Sequence, residues 1–340
     1  MGGLTAYTPG EQPTVAGVIK LNTNENPYPP SPAVAECLRR LAPADLRRYP
    51  DPLSVELRAA LARRHDCRVA QVFAGNGSDE VLALCTRAFV EADGVIGCFE
   101  PSYSLYPVLA AIQGVAVRPA RLNPDFSWRL PDGYAADLFF LANPNAPTGR
   151  QYPRDTVRAF CEKFPGVVVL DEAYVDFADY DCADLALSLP NVLSCRTLSK
   201  SYSLAGLRLG YALGPEPLIE ALFKIKDSYN LDRLTQAIGQ AAIEDPEHMR
   251  RNAERIQATR GRLAPRLAEL GFTVCPSAAN FLWVQPPRWP AREVYDALRR
   301  RNILVRHFPG DLTGAYLRIS IGTDAQMDTL LAALSAILAS

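Results

Sequence analysis

Residues 167–174 read Val-Val-Val-Leu-Asp-Glu-Ala-Tyr, and this stretch decides the class of fold. Four consecutive apolar residues, three of them β-branched, predict a short strand that is buried on both faces, as the strands of parallel sheets are. Two carboxylates and a tyrosine follow at once. The stretch therefore predicts an α/β fold in which polar side chains stand at the carboxyl end of a buried strand.

Five further apolar runs, separated by segments with helical patterns, predict the other strands of a mostly parallel sheet between helices. These runs cover residues 72–74, 95–99, 138–141, 192–195 and 207–211. After Tyr229 a long, arginine-dotted helical stretch precedes shorter alternating segments that are typical of a smaller α+β unit.

We therefore predict three parts along the chain. Residues 1–30 form an N-terminal arm, residues 31–229 a large α/β domain, and residues 230–340 a long connecting helix with a small α+β domain. The sequence leaves open whether the arm packs against the small domain.

Length and composition exclude several classes of protein. The 340 residues, 48% of them hydrophobic, are enough for two domains with full cores. The 36 cationic and 37 anionic side chains nearly cancel, which argues against a general attraction to nucleic acid or acidic lipid. The eight cysteines lack the spacing of a zinc site, so we expect no metal. With no apolar stretch of ~20 residues and no signal peptide pattern, we expect a cytoplasmic protein with reduced cysteines.

Polar segments follow four of the predicted strands at their carboxyl ends. Ligands of open α/β sheets bind beyond these ends, so the segments predict one shared cleft. They are Gly75-Asn76-Gly77-Ser78, the loop from Asn143 to Gly149, Asp171-Glu172-Ala173-Tyr174, and Thr197 to Ser201 with Arg208 beyond it.

One group of these residues is suited to an anion. Gly77 and Ser78 lead into a helix, whose free backbone N–H groups and dipole favour a phosphate. Ser199 and Arg208 add a hydroxyl and a forked cation to the same site. A glycine-rich turn taken alone is more often only a turn, so the prediction rests on the combination.

A second group is suited to an aldehyde-bearing heterocycle. Asp171 would be costly if buried without a partner, and a protonated pyridine nitrogen would provide one. Tyr174 can donate to a phenolate oxygen, and Lys200, one of only five lysines, can condense with an aldehyde. Each residue has an ordinary alternative: a lone lysine is usually a surface charge, and an acidic pair often caps a helix. A phosphate, a pyridinium, a phenolate and an aldehyde together describe pyridoxal 5′-phosphate.

These residues carry a resemblance to a known family. The spacing of 29 residues from Asp171 to Lys200, with Arg208 eight residues further, resembles the fold-type I aminotransferases. More narrowly, the chain resembles the histidinol-phosphate aminotransferase family in its leader (residues 7–11 and 20–27), in Tyr49-Pro50, in the Pro-x-Tyr-x-x-Tyr motif at 101–106, and through residues 228–230, 280–281 and 317–320.

The resemblance implies a seven-stranded sheet in the large domain, pyridoxal 5′-phosphate as cofactor, and a role for each matching residue. Lys200 would attach to the cofactor, Asp171 would pair with its pyridine nitrogen, Tyr174 would contact its phenolate oxygen, and Tyr103 would stack on its ring. The implied phosphate ligands are Gly77, Ser78, Ser199 and Arg208, with Tyr49 reaching the same phosphate from the other subunit of a homodimer. The implied substrate ligands are Tyr7, Asn24, Asn230, Arg306 and Arg318.

The chain departs from the family pattern at Ala146, where the family has an asparagine that donates to the phenolate oxygen. The cofactor thereby loses a hydrogen bond worth about 0.5–1.5 kcal/mol. Tyr174, Asn143 or a water are the candidates to compensate, and we include Asn143 among the cofactor-binding residues.

The implied reaction is transamination of histidinol phosphate with 2-oxoglutarate and glutamate as the second pair. Aromatic or other amino-acid aminotransferases and threonine-phosphate decarboxylases use the same cofactor and remain alternatives. A dinucleotide-binding oxidoreductase would need a third glycine after Gly75 and Gly77, and it would leave Lys200 and Asp171 unexplained. A non-enzymatic binding module is disfavoured because the lysine and its carboxylate are both present.

Overall fold

A computed structural model describes residues 9–14 and 17–339; Tyr7 lies outside them. The described strands, in chain order, are β1 (Ile19–Lys20), β2 (Val72–Asn76), β3 (Val95–Glu100), β4 (Ala116–Arg121), β5 (Leu138–Ala142), β6 (Val167–Asp171), β7 (Val192–Thr197), β8 (Leu209–Leu213), β9 (Thr273–Val274), β10 (Phe281–Gln285), β11 (Ile303–Leu304), β12 (Arg306–His307) and β13 (Leu317–Ser320).

The helices lie between and after these strands. They are α1 (Pro32–Arg40), α2 (Val55–Arg64), α3 (Gly77–Phe89), α4 (Leu105–Gln113), α5 (Arg154–Lys163), α6 (Ala183–Ser188), α7 (Glu216–Ile225), α8 (Arg233–Ile243), α9 (Pro246–Glu269), α10 (Ala291–Arg299) and α11 (Asp324–Leu338). None of the described helices is long and apolar enough to cross a membrane.

A seven-stranded sheet dominates the fold, in the order β2-β8-β7-β6-β5-β3-β4. Every neighbouring pair is parallel except the two that involve β8, which runs antiparallel to β2 and to β7. The mostly parallel sheet expected from the sequence is therefore confirmed. Because β8 is reversed, its first residue lies at the edge where the parallel strands have their carboxyl ends.

The sheet is buried on both faces because helices cover each of them. Along β5 the side chains alternate: Phe140 packs into the hydrophobic cluster on one face, with Tyr106, and Phe139 into the cluster on the other, with Phe160. This alternation follows from the two-residue period of a strand. Because both faces are covered, the strand is an unbroken apolar run in the sequence. A strand covered on one face only would alternate apolar and polar residues.

Two parts of the sheet differ from the sequence prediction. Strand β4 was not among the predicted runs, because it is an edge strand with mostly exposed or half-buried side chains and a proline, Pro119, in its interior. The predicted run at 207–211 begins in a short 3-10 turn, and the strand itself starts at Leu209.

A smaller antiparallel sheet, in the order β12-β13-β10-β9, belongs to the C-terminal third of the chain. The N-terminal arm joins this region, since β1 pairs in parallel with β11. The predicted long connecting helix is two helices, α8 and α9. Glu244 is the C-cap of α8, and Asp245 caps α9 by accepting from the His248 N–H, with Pro246 at the first helical position.

Gly210 in β8 sets how closely the turn after β2 can approach the sheet. A Cβ atom at this position would lie 2.5 Å from the carbonyl carbon of Gly77 and still closer to the backbone nitrogen of Ser78. We expect Gly210→Ala to lower the free energy of unfolding by about 1–3 kcal/mol, because backbone on both sides must shift. Gly206→Ala, where a Cβ would meet no heavy atom within 4 Å, is the matched control. Urea unfolding of both variants checks this; equal stability of the two would contradict it.

Candidate active site

A cavity of about 290 Å³ lies at the carboxyl edge of the large sheet. The strand ends supply one wall through Ala142, Asp171 and Thr197. The N-terminal arm and the small sheet supply the opposite wall, with side chains that include Asn22, Thr23, Arg306 and Arg318. The predicted convergence of strand ends on one cleft is therefore what the fold produces.

Asp171, the last residue of β6, is 5% exposed and lines the cavity. Its Oδ2 atom accepts a hydrogen bond from the Tyr106 hydroxyl at 2.7 Å, and its Oδ1 atom accepts the Ala173 N–H at 3.2 Å. Burial raises the pKa of this carboxyl to about 6, although both hydrogen bonds act to lower it. No ion pair to Asp171 exists within the described residues, so its charge lacks a cation of the protein's own.

Lys200 follows β7 and turns back into the same cavity. Its Nζ atom donates to the Thr23 carbonyl oxygen at 3.1 Å and lies 5.8 Å from the centre of the Tyr174 ring. Burial lowers the pKa of the amine to about 8, and the nearby positive charge of Arg318 lowers it further. Much of the amine is therefore neutral at mildly alkaline pH, which is the form that attacks an aldehyde.

The first turn of α3 and Arg208 form a cradle of donors. Gly77 has a φ of +82°, a backbone conformation that favours glycine. A Cβ atom at this position would lie 2.7 Å from the Nη2 atom of Arg208 and would displace the guanidinium group. The Nη1 atom of Arg208 also donates to the Ser199 hydroxyl at 3.4 Å. Ser78 lines the cavity beside them. The four predicted phosphate ligands are thus brought together at a helix N-terminus.

Asp79 joins this cradle, although the sequence analysis did not single it out. Its carboxylate accepts from the Nη2 atom of Arg208 at 3.2 Å and from the Tyr103 hydroxyl at 3.2 Å. It therefore orients both the guanidinium and an aromatic ring that lines the cavity. Its position directly after the Gly77-Ser78 pair was the available signal.

Tyr174 and Asn24 form one unit. The Tyr174 hydroxyl accepts a hydrogen bond from the Asn24 side-chain amide at 2.9 Å, and the ring packs edge-on against Phe281. Asn24 is buried, and its side-chain carbonyl accepts from the Ser320 hydroxyl. The amide that we expected on the substrate thus also positions the tyrosine.

The pairing of β12 with β13 places Arg306 directly opposite Arg318, although twelve positions separate the two in the sequence. Both line the cavity. Their guanidinium groups donate to carbonyl oxygens of the arm: Arg306 to Pro9 at 3.0 Å and Arg318 to Asn22 at 3.1 Å. Two cations side by side are suited to a dianionic group.

Besides Gly77, three described site residues predicted from the sequence do not line the cavity of the single chain. Asn143 accepts the Tyr152 N–H through its side-chain carbonyl at 2.9 Å, and Asn230 donates to Ala74 and Glu80. Tyr49 is 77% exposed. From the loop after β5 the cavity is lined by Pro144 and Ala146 instead. The roles of all three stay predictions, as does that of Tyr7.

These side chains fit pyridoxal 5′-phosphate. The cradle at Gly77 and Arg208 matches its phosphate, and the cation-less carboxylate of Asp171 matches a protonated ring nitrogen. The partly neutral amine of Lys200 matches an aldehyde. The three groups face one cavity, as the three ends of a single ligand require.

Comparisons with known proteins agree with this geometry. The family profile described as aminotransferase class I and II matches residues 16–334. The chain is 47% identical to a histidinol-phosphate aminotransferase of Chromohalobacter salexigens, with 98% of this chain and 96% of that relative covered. It is 48% identical to a protein of the same name from Aromatoleum aromaticum, with 99% and 97% covered.

Among solved structures, the histidinol-phosphate aminotransferase of Sinorhizobium meliloti in complex with pyridoxal-5′-phosphate superposes with a TM-score of 0.87. The two sequences are 30% identical, and the match covers 94% of this chain and 91% of that one. With a family match over nearly its whole length, the chain belongs to the class I and II aminotransferases.

Proposed function

We propose that this chain catalyses the pyridoxal 5′-phosphate-dependent transamination of histidinol phosphate with 2-oxoglutarate, a step of histidine biosynthesis. The observation that carries the proposal is one cavity that holds Lys200 and Asp171 at the strand ends and two adjacent arginines on the opposite wall. The names of the relatives that are 47% and 48% identical support the choice of substrate.

When bound, the cofactor supplies an aldehyde that condenses with amines and a ring that accepts electrons. Lys200 would carry that aldehyde at rest. Its Nζ atom would also move the proton of the reaction, taking it from the substrate carbon as a base and giving it back as an acid. Because burial lowers the pKa of this amine to about 8, the base form becomes more abundant as pH rises through that value.

The other side chains would hold the reacting groups in place. Asp171 would keep a proton on the ring nitrogen, and Tyr174 would donate to the phenolate oxygen. Tyr103 would lie against the ring face. The cradle of Gly77, Ser78, Ser199 and Arg208 would bind the phosphate. Because Lys200 lines the same cavity, binding the phosphate there would position the aldehyde of the cofactor relative to the Lys200 amine.

Arg306 and Arg318 would bind the phosphate of the amino donor, with Asn24 and Asn230 as further candidate ligands. The same pair suits the two carboxylates of 2-oxoglutarate, so one site can serve both halves of the reaction. An aromatic amino acid would use only one arginine for its carboxylate, and threonine phosphate would lose carbon dioxide instead of exchanging its amine. Both are outcomes that product analysis separates.

The active unit is proposed to be a homodimer. Tyr49 is highly exposed and its ring stacks on that of Tyr229, which is also exposed, at 4.4 Å between centres. Leu46 and Leu53 are exposed beside it in sequence. An apolar surface of this kind is typical of a protein interface. A second copy would cover it, and Tyr49 would then reach the phosphate site of that copy.

We also propose the division of the chain into the arm, the large domain and the small domain at residues 30 and 229.

A cytoplasmic location is proposed because all eight cysteines are free thiols, as they remain in a reducing compartment.

The purified protein is expected to form glutamate from histidinol phosphate and 2-oxoglutarate without releasing carbon dioxide. Lys200→Ala should lower turnover about 10³-fold or more, because it removes both the covalent attachment and the base. The matched control is Lys224→Ala on the exposed side of α7, which should be neutral. Carbon dioxide from threonine phosphate, or faster turnover of phenylalanine or tyrosine, would overturn the substrate. Absence of amine transfer from all four would overturn the activity.

Mixing two impaired variants, Tyr49→Phe and Lys200→Ala, tests whether Tyr49 acts across the interface. Tyr49→Phe should lower activity about tenfold through loss of a charge-assisted hydrogen bond. After random re-pairing with Lys200→Ala, about half of the dimers are hybrids, and each hybrid holds one intact site if Tyr49 acts on its partner. Activity should then recover to about a quarter of the unmodified value. If mixing restores nothing, Tyr49 does not act across subunits.

Restoring the family's asparagine should strengthen cofactor binding. Ala146 lines the cavity and belongs to a small apolar cluster with Phe281 against which Tyr174 packs, so we expect an amide there to reach the phenolate side of the ligand. We expect Ala146→Asn to tighten binding of pyridoxal 5′-phosphate up to about tenfold, measured by titration of the cofactor-free protein. Ala146→Leu has nearly the same shape without a donor and is the control. Equal affinity of the two variants would contradict the expectation.

A further inference from the structure

Tyr106 contacts Asp171 although 65 residues separate them. It is the second residue of α4 and is completely buried. Its ring stacks on Phe140 at 4.8 Å and 14°, and it meets Tyr103 edge-on at 5.6 Å. Packing on two sides therefore fixes the ring, and with it the hydroxyl that donates to the Oδ2 atom of Asp171 at 2.7 Å.

This hydrogen bond is one of two that the described residues donate to the carboxylate. The other, from the Ala173 N–H to the Oδ1 atom at 3.2 Å, comes from the same strand end and is longer. The Tyr106 bond is the one that ties the side chain of Asp171 to a different element. It fixes the plane of the carboxylate, and it favours the ionised form against the cost of burial.

We propose that Tyr106 is a positioning residue that acts through Asp171, holding its carboxylate ionised and in the orientation that meets a cationic ring nitrogen. The inference rests on the role of Asp171 in the proposed function. It assigns different tasks to the two tyrosines of the Pro-x-Tyr-x-x-Tyr motif, since Tyr103 lines the cavity and Tyr106 does not.

The surroundings make this hydrogen bond important. The negative charges of Asp79 on α3 and of the adjacent Glu172 both raise the pKa of Asp171, and the Cys195 thiol of β7 lies close by. Cys98 of β3 and Cys195 face Tyr106. None of these groups is a cation, and among the described residues the hydrogen bonds from Tyr106 and the Ala173 N–H counteract the effect of desolvation.

Tyr106 itself does not exchange protons. Burial and the neighbouring Asp171 raise the pKa of its hydroxyl well above the ordinary value. The hydroxyl is therefore a permanent donor over the whole range in which the protein works. Its contribution to the reaction is electrostatic and geometric.

The test compares Tyr106→Phe with Tyr152→Phe. Tyr152 is a similarly buried tyrosine on the opposite face of the same sheet whose hydroxyl has no partner among the described residues, so it controls for loss of a buried hydroxyl. In the cofactor-free protein, carbon-13 NMR of labelled aspartate should show the pKa of Asp171 raised by about one pH unit in Tyr106→Phe. Affinity for pyridoxal 5′-phosphate should fall about tenfold. Tyr152→Phe should change neither quantity.

A second substitution at the same position keeps the test independent of folding. 3-Fluorotyrosine at residue 106 retains the ring and makes the hydroxyl a stronger donor, so the pKa of Asp171 should fall. If neither replacement of Tyr106 moves the pKa of Asp171 or the affinity, the inference is overturned, whatever happens to the free energy of unfolding.

Asp171→Asn separates failure of the inference from failure of the proposed function. We expect this variant to bind the cofactor weakly, and Tyr106→Phe to add nothing in its background, because the two residues act as one unit. Full affinity and turnover in Asp171→Asn would overturn the role of Asp171 itself. If Asp171→Asn is impaired but Tyr106→Phe behaves like Tyr152→Phe, the inference about Tyr106 is overturned. The role proposed for Asp171 then stands.

Discussion

The site depends on the burial of one carboxylate that has no ion-pair partner among the described residues. Asp171 ends a strand that is covered on both faces, and desolvation raises its pKa to about 6. The same cavity lowers the pKa of Lys200 to about 8. The two shifts have the same physical cause, and the groups do not neutralise each other through a direct ion pair. A ligand with a cationic ring nitrogen at one end and an electrophilic carbon at the other satisfies both groups.

Topology explains how the remaining groups reach this pair. The parallel strands β2, β5, β6 and β7 all end at one edge, so the residues that follow them meet there. The reversed strand β8 starts at that edge, which places Arg208 beside the first turn of α3. The arm and the small sheet close the other side, where the pairing of β12 with β13 sets two arginines next to each other. The groups of the site thus come from different strands, helices and loops, and the fold brings them together.

Much of this could be predicted from the sequence, for physical reasons. Strands buried on both faces are unbroken apolar runs, and polar residues after such runs must lie at the carboxyl edge, so Asp171 and Lys200 were predictable. Arg208 precedes the reversed strand β8 and was identified by its spacing of eight residues from Lys200. The edge strand β4 was not, because exposed strands have no apolar signature. Contacts such as Tyr106 with Asp171, or Asp79 with Arg208 and Tyr103, depend on how helices pack on the sheet, which no local pattern encodes. The side chain of Asn143 is directed to the Tyr152 backbone for the same reason.

Of the five lysines, Lys200 is the one proposed to face the aldehyde of a bound cofactor. Reduction of the cofactor-loaded protein with borohydride makes the attachment permanent, and peptide mapping by mass spectrometry then locates it. We expect one pyridoxyl phosphate group per chain, on the peptide that contains Lys200. A group on Lys20, Lys163, Lys224 or Lys226, or no attached group at all, would contradict it.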